Sequence, residues 1–155
     1  MRIAQNKDFE LGYTEITALD GIHSEMMMDF GVLRLNTGME FADDKQLERV
    51  FVLLYGEIEV TYDGQTIRGK RETYTNDTIW CVNLPKNVPA VIRGVAEDSQ
   101  VVIVRTENDK LFVPAVRWGD QIVEEVRGKG CMNEAGTRIV RTCLLYTSPS
   151  PRDRS

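Results

Sequence analysis

From Val32 to Val104 the chain is a succession of short apolar or alternating runs separated by turn residues, the pattern of an all-β domain. The runs are Val32 to Leu35, Val50 to Tyr55, Glu57 to Tyr62, Gln65 to Arg68, Ile79 to Leu84, Ala90 to Arg93 and Val101 to Arg105. In the third, Ile58, Val60 and Tyr62 alternate with Glu57, Glu59 and Thr61, which predicts one buried face and one wet face. Asp63-Gly64 then closes a hairpin, because both residues tolerate the positive φ of a tight turn. No stretch of helical period carries caps, so short strands joined by turns are expected to form a barrel or sandwich.

Beyond Arg105 the pattern weakens. Asn108-Asp109-Lys110 reads as a turn, Phe112-Val113-Pro114 as an extended piece, and Ile122 to Val126 as a further strand. Residues 127–143 are rich in Gly and charge and read as a linker into another element. Residues 144–155 switch to Ser, Pro and Arg, a composition that builds no core; they resemble translated adapter sequence and are expected to be unpacked. The expected organisation is one barrel over residues 1–126, a linker over 127–143 and a tail over 144–155.

Composition narrows the partners. Of 155 residues, 42% are hydrophobic and 28% charged, as in a soluble globular protein, and the net charge of -5 comes without a basic stripe, which argues against nucleic acid. No membrane-length apolar run and no secretory segment is present, so a cytoplasmic location is expected. Cys81, Cys131 and Cys143 are odd in number and widely spaced, which suits reduced thiols.

Candidate chemistry is sparse. His23 is the sole histidine, without a second His or paired acid at ligand spacing. Asp43, Asp44 and Glu48 form the densest acidic group and read as a solvated loop rather than a hard-cation site. Met26-Met27-Met28 reads as core filler, the sequon Asn76-Asp77-Thr78 carries little weight without secretion, and Gly128 and Gly130 lack the Lys-Ser/Thr of a phosphate loop.

The segment Gly38 to Gly56, ending in Val-Phe-Val-Leu-Leu-Tyr-Gly, resembles the first motif of cupin β-barrels. Where a metal-binding cupin has two His, a Glu and a later His, this chain has Asp43-Asp44-Lys45-Gln46, Arg49 and Ala90. Later come Thr106-Glu107-Asn108-Asp109-Lys110-Leu111-Phe112, the stretch Glu125-Val126-Arg127-Gly128-Lys129-Gly130, and Met132-Asn133-Glu134-Ala135-Gly136-Thr137-Arg138-Ile139-Val140-Arg141-Thr142. These are similar to the middle of the 5-deoxy-glucuronate isomerase family.

That resemblance spans about residues 1–142 and implies a bicupin whose first half is a degenerate, metal-free jelly-roll barrel. It implies an aldose–ketose isomerisation in inositol catabolism, from 5-deoxy-glucuronate to 5-dehydro-2-deoxy-gluconate, with a divalent metal and the catalytic residues in a second half absent here. No catalytic, cofactor or metal residue is expected in this chain. The expected partner of the whole enzyme is a sugar acid, with homo-oligomerisation possible and no nucleic acid or membrane. A metal-free sugar-binding or sensor cupin and a structural module are the alternative readings.

Overall fold

The computed structural model describes residues 7–75 and 78–142. Strands β1 (Gly12–Thr17), β2 (Asp29–Leu35), β3 (Glu40–Asp43), β4 (Glu48–Tyr62), β5 (Gln65–Arg71) and β6 (Trp80–Leu84) come first. They are followed by β7 (Ala90–Gly94), β8 (Ser99–Thr106), β9 (Ala115–Trp118), β10 (Val123–Arg127) and β11 (Arg138–Thr142). Every pairing among them is antiparallel. The seven runs of the apolar pattern all become strand, and the two halves of the Val50 to Tyr62 region join into one 15-residue strand.

That long strand is shared between two layers. Its first half lies in the order β1-β2-β8-β4-β6-β9, while its second half pairs with β5 and β7, and β7 pairs with β3. Inward side chains of both layers, among them Leu33, Phe51, Leu53, Ile58, Val60, Ile92 and Ile103, make one core.

The switch between layers is built at Tyr55-Gly56. The β4–β8 register slips between Leu53 and Tyr55, and Gly56 follows at φ 92°, a value side-chain-bearing residues rarely adopt. Before the slip Arg49, Phe51 and Leu53 point inward; after it Ile58, Val60 and Tyr62 do. A Cβ on Gly56 would lie 2.5 Å from Ser99 Oγ, the hydroxyl that donates to Glu57 O and accepts from Glu57 N. The irregularity thus carries a parity change and a close strand crossing together.

β1, β3, β9 and β11 lie outside both the seven runs and the further strand expected at Ile122 to Val126, which is β10. β1 and β3 are edge strands whose turn-rich or charged residues (Gly12, Thr14, Glu40, Asp43) hide the alternation, and register with β2 and β7 makes them strand. Residues 127–142, within the stretch read as a linker, hold the turn of a β10–β11 hairpin and its second strand, cross-tied by Glu124 and Arg141 at 2.9 Å. The sequon's Asn76 and Asp77, Cys143 and the tail after it lie outside the described residues. No helix among the described residues is long and apolar enough to cross a membrane.

Candidate functional site

Three charged side chains occupy inward positions at one end of the first sheet. Register sets Asp29 of β2 opposite Arg105 of β8, and Arg105 opposite Arg49 of β4, so the three lie in one row across adjacent strands. All three are buried, Arg49 completely. Two neighbouring guanidiniums in a dry interior repel unless an acid lies between them.

Asp43, at the end of β3 in the opposite layer, supplies that acid. Its Oδ2 accepts from Arg105 Nε at 2.9 Å and lies 2.7 Å from Arg105 Nη2, and its Oδ1 lies 3.6 Å from Arg49 Nη1. Arg49 also donates to three main-chain carbonyls: Asp43 O at 2.8 Å, Pro85 O at 3.0 Å and Val88 O. One guanidinium thus ties the ends of β3 and β4 to the β6–β7 turn. Its Nε has no hydrogen-bond partner among the described residues.

Tyr13 and Asp29 complete the row. The Tyr13 hydroxyl accepts from Arg105 Nη1 at 2.8 Å, and the guanidinium carbon lies 4.8 Å from the centre of the same ring. Gly31 makes room for that ring, since a Cβ there would come within 2.6 Å of it. Asp29 accepts from Leu19 N at 2.7 Å and from Lys45 Nζ at 3.0 Å.

Beside this row, Glu48 is buried between two amides. Its Oε1 accepts from Asn83 at 3.2 Å and its Oε2 from Asn108 at 2.7 Å, which pins the segment after β8 to the sheet.

The electrostatics hold the charges fixed. Burial pushes the Arg49 pKa below the ordinary arginine value against the pull of Asp43. At Arg105 burial acts in the same direction, but the hydrogen bond and charge of Asp43, with Tyr13, outweigh it and leave the pKa raised. Burial likewise raises the Tyr13 hydroxyl, with Arg105 opposing. Burial would raise Asp29 too, yet Leu19 N–H, Lys45 and Arg105 together bring it below the usual aspartate value. At neutral pH Arg49 and Arg105 stay charged and Tyr13 stays neutral, so none of them is poised for proton transfer.

The residues at the cupin ligand positions therefore do not fit a metal. Asp43 pairs in register with Ala90, and Arg49 donates to the Asp43 carbonyl, so the positions named from the sequence do converge. They converge on a guanidinium. A cation placed there would meet Arg49 and Arg105, and the carboxylate between them, Asp43, is already paired with both. Among the described residues no group of three His, Cys, Asp or Glu is placed to hold a metal ion.

Two sequence readings are corrected. Asp43 and Glu48 are not part of a solvated loop but are each 2% exposed, because register turns them toward arginines and amides; Asp44 alone of the three is exposed. Met26 and Met27 are 45% and 75% exposed rather than core, since they sit on a 3-10 turn between β1 and β2 where Met27 takes φ 56°. His23 lies on that turn, half-buried and 3.5 Å from Glu25. Cys81 is buried in β6 and Cys131 exposed.

Tyr13, Asp29, Arg105, Asn83 and Asn108 were not singled out from the sequence. A signal existed for two of them: Arg105 continues the inward parity of Val101 and Ile103, and Asp29 that of Leu33 and Leu35. A charge on the apolar parity of a strand asks for a buried partner.

The structure resembles an IolB-like protein from Salmonella typhimurium LT2, with a TM-score of 0.73 and 19% identity over 88% of this chain and 51% of that one. The chain thus spans about half the length of that protein. Lesser likenesses are a cupin superfamily protein from Desulfitobacterium hafniense DCB-2 (TM-score 0.49, 13% identity, 70% and 84% covered) and the Schizosaccharomyces pombe Cnp3 cupin domain (0.48, 17%, 62% and 64%). No curated protein sequence matches. The fold is an all-β, cupin-like jelly roll. The KduI/IolB family matches residues 3–154, nearly the whole sequence, and the chain belongs to that family.

Proposed function

We propose that this chain is the scaffold half of a 5-deoxy-glucuronate isomerase, an aldose–ketose isomerase of inositol catabolism that makes 5-dehydro-2-deoxy-gluconate. Membership of an isomerase family and the likeness to an IolB-like fold over about half of that protein support the reading. The observation that carries the scaffold role is the Arg49–Asp43–Arg105 cluster, which fills the place where a cupin gathers its ligands with arginine–aspartate ion pairs. An isomerase that passes through an enediolate needs a positioned base and stabilisation of the developing oxyanion, which a divalent metal would supply. Those groups belong, on this reading, to a second barrel outside this chain, and the whole enzyme acts in the cytoplasm on a sugar acid.

The test is a coupled assay for the ketose, run on the chain alone and on the chain extended by a family second half. The expected result is turnover only in the extended protein. Turnover by the chain alone that disappears in Glu48→Ala or His23→Ala would overturn the scaffold reading, and an inactive but folded extended protein would overturn the isomerase reading.

A further inference from the structure

Alternation along β4 turns Arg49, Phe51 and Leu53 toward the core and Glu48 to the other face of the sheet, as alternation along β6 does for Asn83 between Val82 and Leu84. Both are nevertheless buried, at 2% and 6% exposure. The Glu48 carboxylate is shared by two amides from different parts of the chain, accepting from Asn83 Nδ2 on one oxygen and from Asn108 Nδ2 on the other. Asn108 is engaged at both ends of its amide, because its Oδ1 accepts from Lys110 N at 2.9 Å. Asn83 is engaged at one end only. Its Oδ1 is buried without a hydrogen-bond partner among the described residues.

A buried acceptor without a donor is costly, so its place beside a carboxylate calls for a cause. A carboxylic acid and a carboxamide pair through two hydrogen bonds, amide N–H to one acid oxygen and acid O–H to the amide oxygen. Asn83 already makes the first of these. The second requires one proton from solvent on Glu48, because an ionised carboxylate only accepts. The oxygen that gains the proton is the one now held by Asn108, and a hydroxyl oxygen accepts more weakly than a carboxylate.

We propose that Glu48 is a proton-operated latch on residues 107–114, the segment that leads from β8 to β9. Ionised, it holds Asn108 and pins the segment to the sheet; protonated, it pairs with Asn83 and lets Asn108 go. Leu111 and Val113 are 68% and 84% exposed, so apolar burial at these positions adds little to the hold. Charged groups on the elements that meet at Glu48 are Glu107, Asp109 and Lys110 on the segment, Lys86 on the β6–β7 turn, bonded to Asp109 at 3.0 Å, and Asp44 and Lys45 before β4, the latter bonded to Asp29. Arg49 and Arg105 face the core on the opposite side of the sheet.

Hydrogen exchange at the Lys110 amide, followed by NMR on the 155-residue chain, reads the latch, because that N–H is bonded to Asn108. Protection relative to the unstructured rate should fall about tenfold between about pH 7 and pH 4, as one hydrogen bond to a charged acceptor is lost, while Phe51 and Ile103 in the strands keep theirs. Glu48→Gln can pair with Asn83 through both bonds without a proton, so it should show the lower protection already at about pH 7. Asn83→Leu removes the rival acceptor, and its Lys110 protection should change by less than about twofold over the same range. Should acid loosen the whole barrel, the Glu48→Gln result at about pH 7 decides alone. Parent-like protection in that variant, a parent that keeps its Lys110 protection in acid, or an Asn83→Leu protein that loses it as the parent does would each overturn the proposal.

Discussion

The two halves of β4 place their charges on opposite faces. In the first half the inner face begins with a buried guanidinium, Arg49, and the outer face carries Val50 and Val52; in the second, Ile58, Val60 and Tyr62 face inward and Glu57, Glu59 and Thr61 face out. The difference shows what position does to a charge. Arg49 sits in a dry environment where only Asp43 and three carbonyls keep it tolerable, whereas Arg68, pairing with Glu57 and Glu59 outside, can exchange either partner for water.

The largest effect should come from Asp43. Asp43→Asn keeps the shape but leaves two buried guanidiniums without their common anion, and a loss of about 3–5 kcal/mol is expected. Urea unfolding read by circular dichroism measures it, and a midpoint close to that of the parent would mean that water reaches the row. Next is the pivot where the faces invert: Gly56→Ala places a Cβ at φ 92° against Ser99 and should cost about 2–3 kcal/mol. The same change at Gly38, which is also at positive φ but has open space around it, should cost less.

A smaller effect is tied to pH. Asp29 has a folded-state pKa below its unfolded value, so its contribution is complete above about pH 4 and is lost as pH falls through the folded value. Stability should therefore drop more steeply below pH 4 in the parent than in Asp29→Asn; parallel pH profiles would mean that the Leu19, Lys45 and Arg105 contacts add nothing. Smallest of all, Arg68→Ala should leave the urea midpoint within error, since its ion pairs are exposed. A clear loss there would erase the contrast between the two faces.

The sequence made one sheet face legible and the charged row only partly so. Alternation in Glu57 to Tyr62 predicted the inner and outer faces of the second sheet, and Asp63-Gly64 predicted its hairpin. The cupin-like spacing located Asp43, Arg49 and Ala90 together, as the β3–β7 register bears out. Burial of Asp43 and Glu48 was not legible, because the arginine and the amides that receive them lie 62, 35 and 60 residues away along the chain. Local pattern contains no such information. The edge strands β1 and β3 escaped for a related reason: their conformation is imposed by neighbours rather than by their own propensities.

Ion pairing occupies the end of this barrel where a metal centre would need open ligands. Calorimetric titration of the folded chain with manganese, zinc and iron tests it most directly, beside Arg49→Met, which removes the guanidinium and exposes the Asp43 carboxylate to whatever cation can enter. The parent should bind none of the three at micromolar concentration. Micromolar binding by the parent that is lost in Asp43→Asn would show the opposite, because a metal would then be competing successfully with Arg49 and Arg105 for the same oxygens.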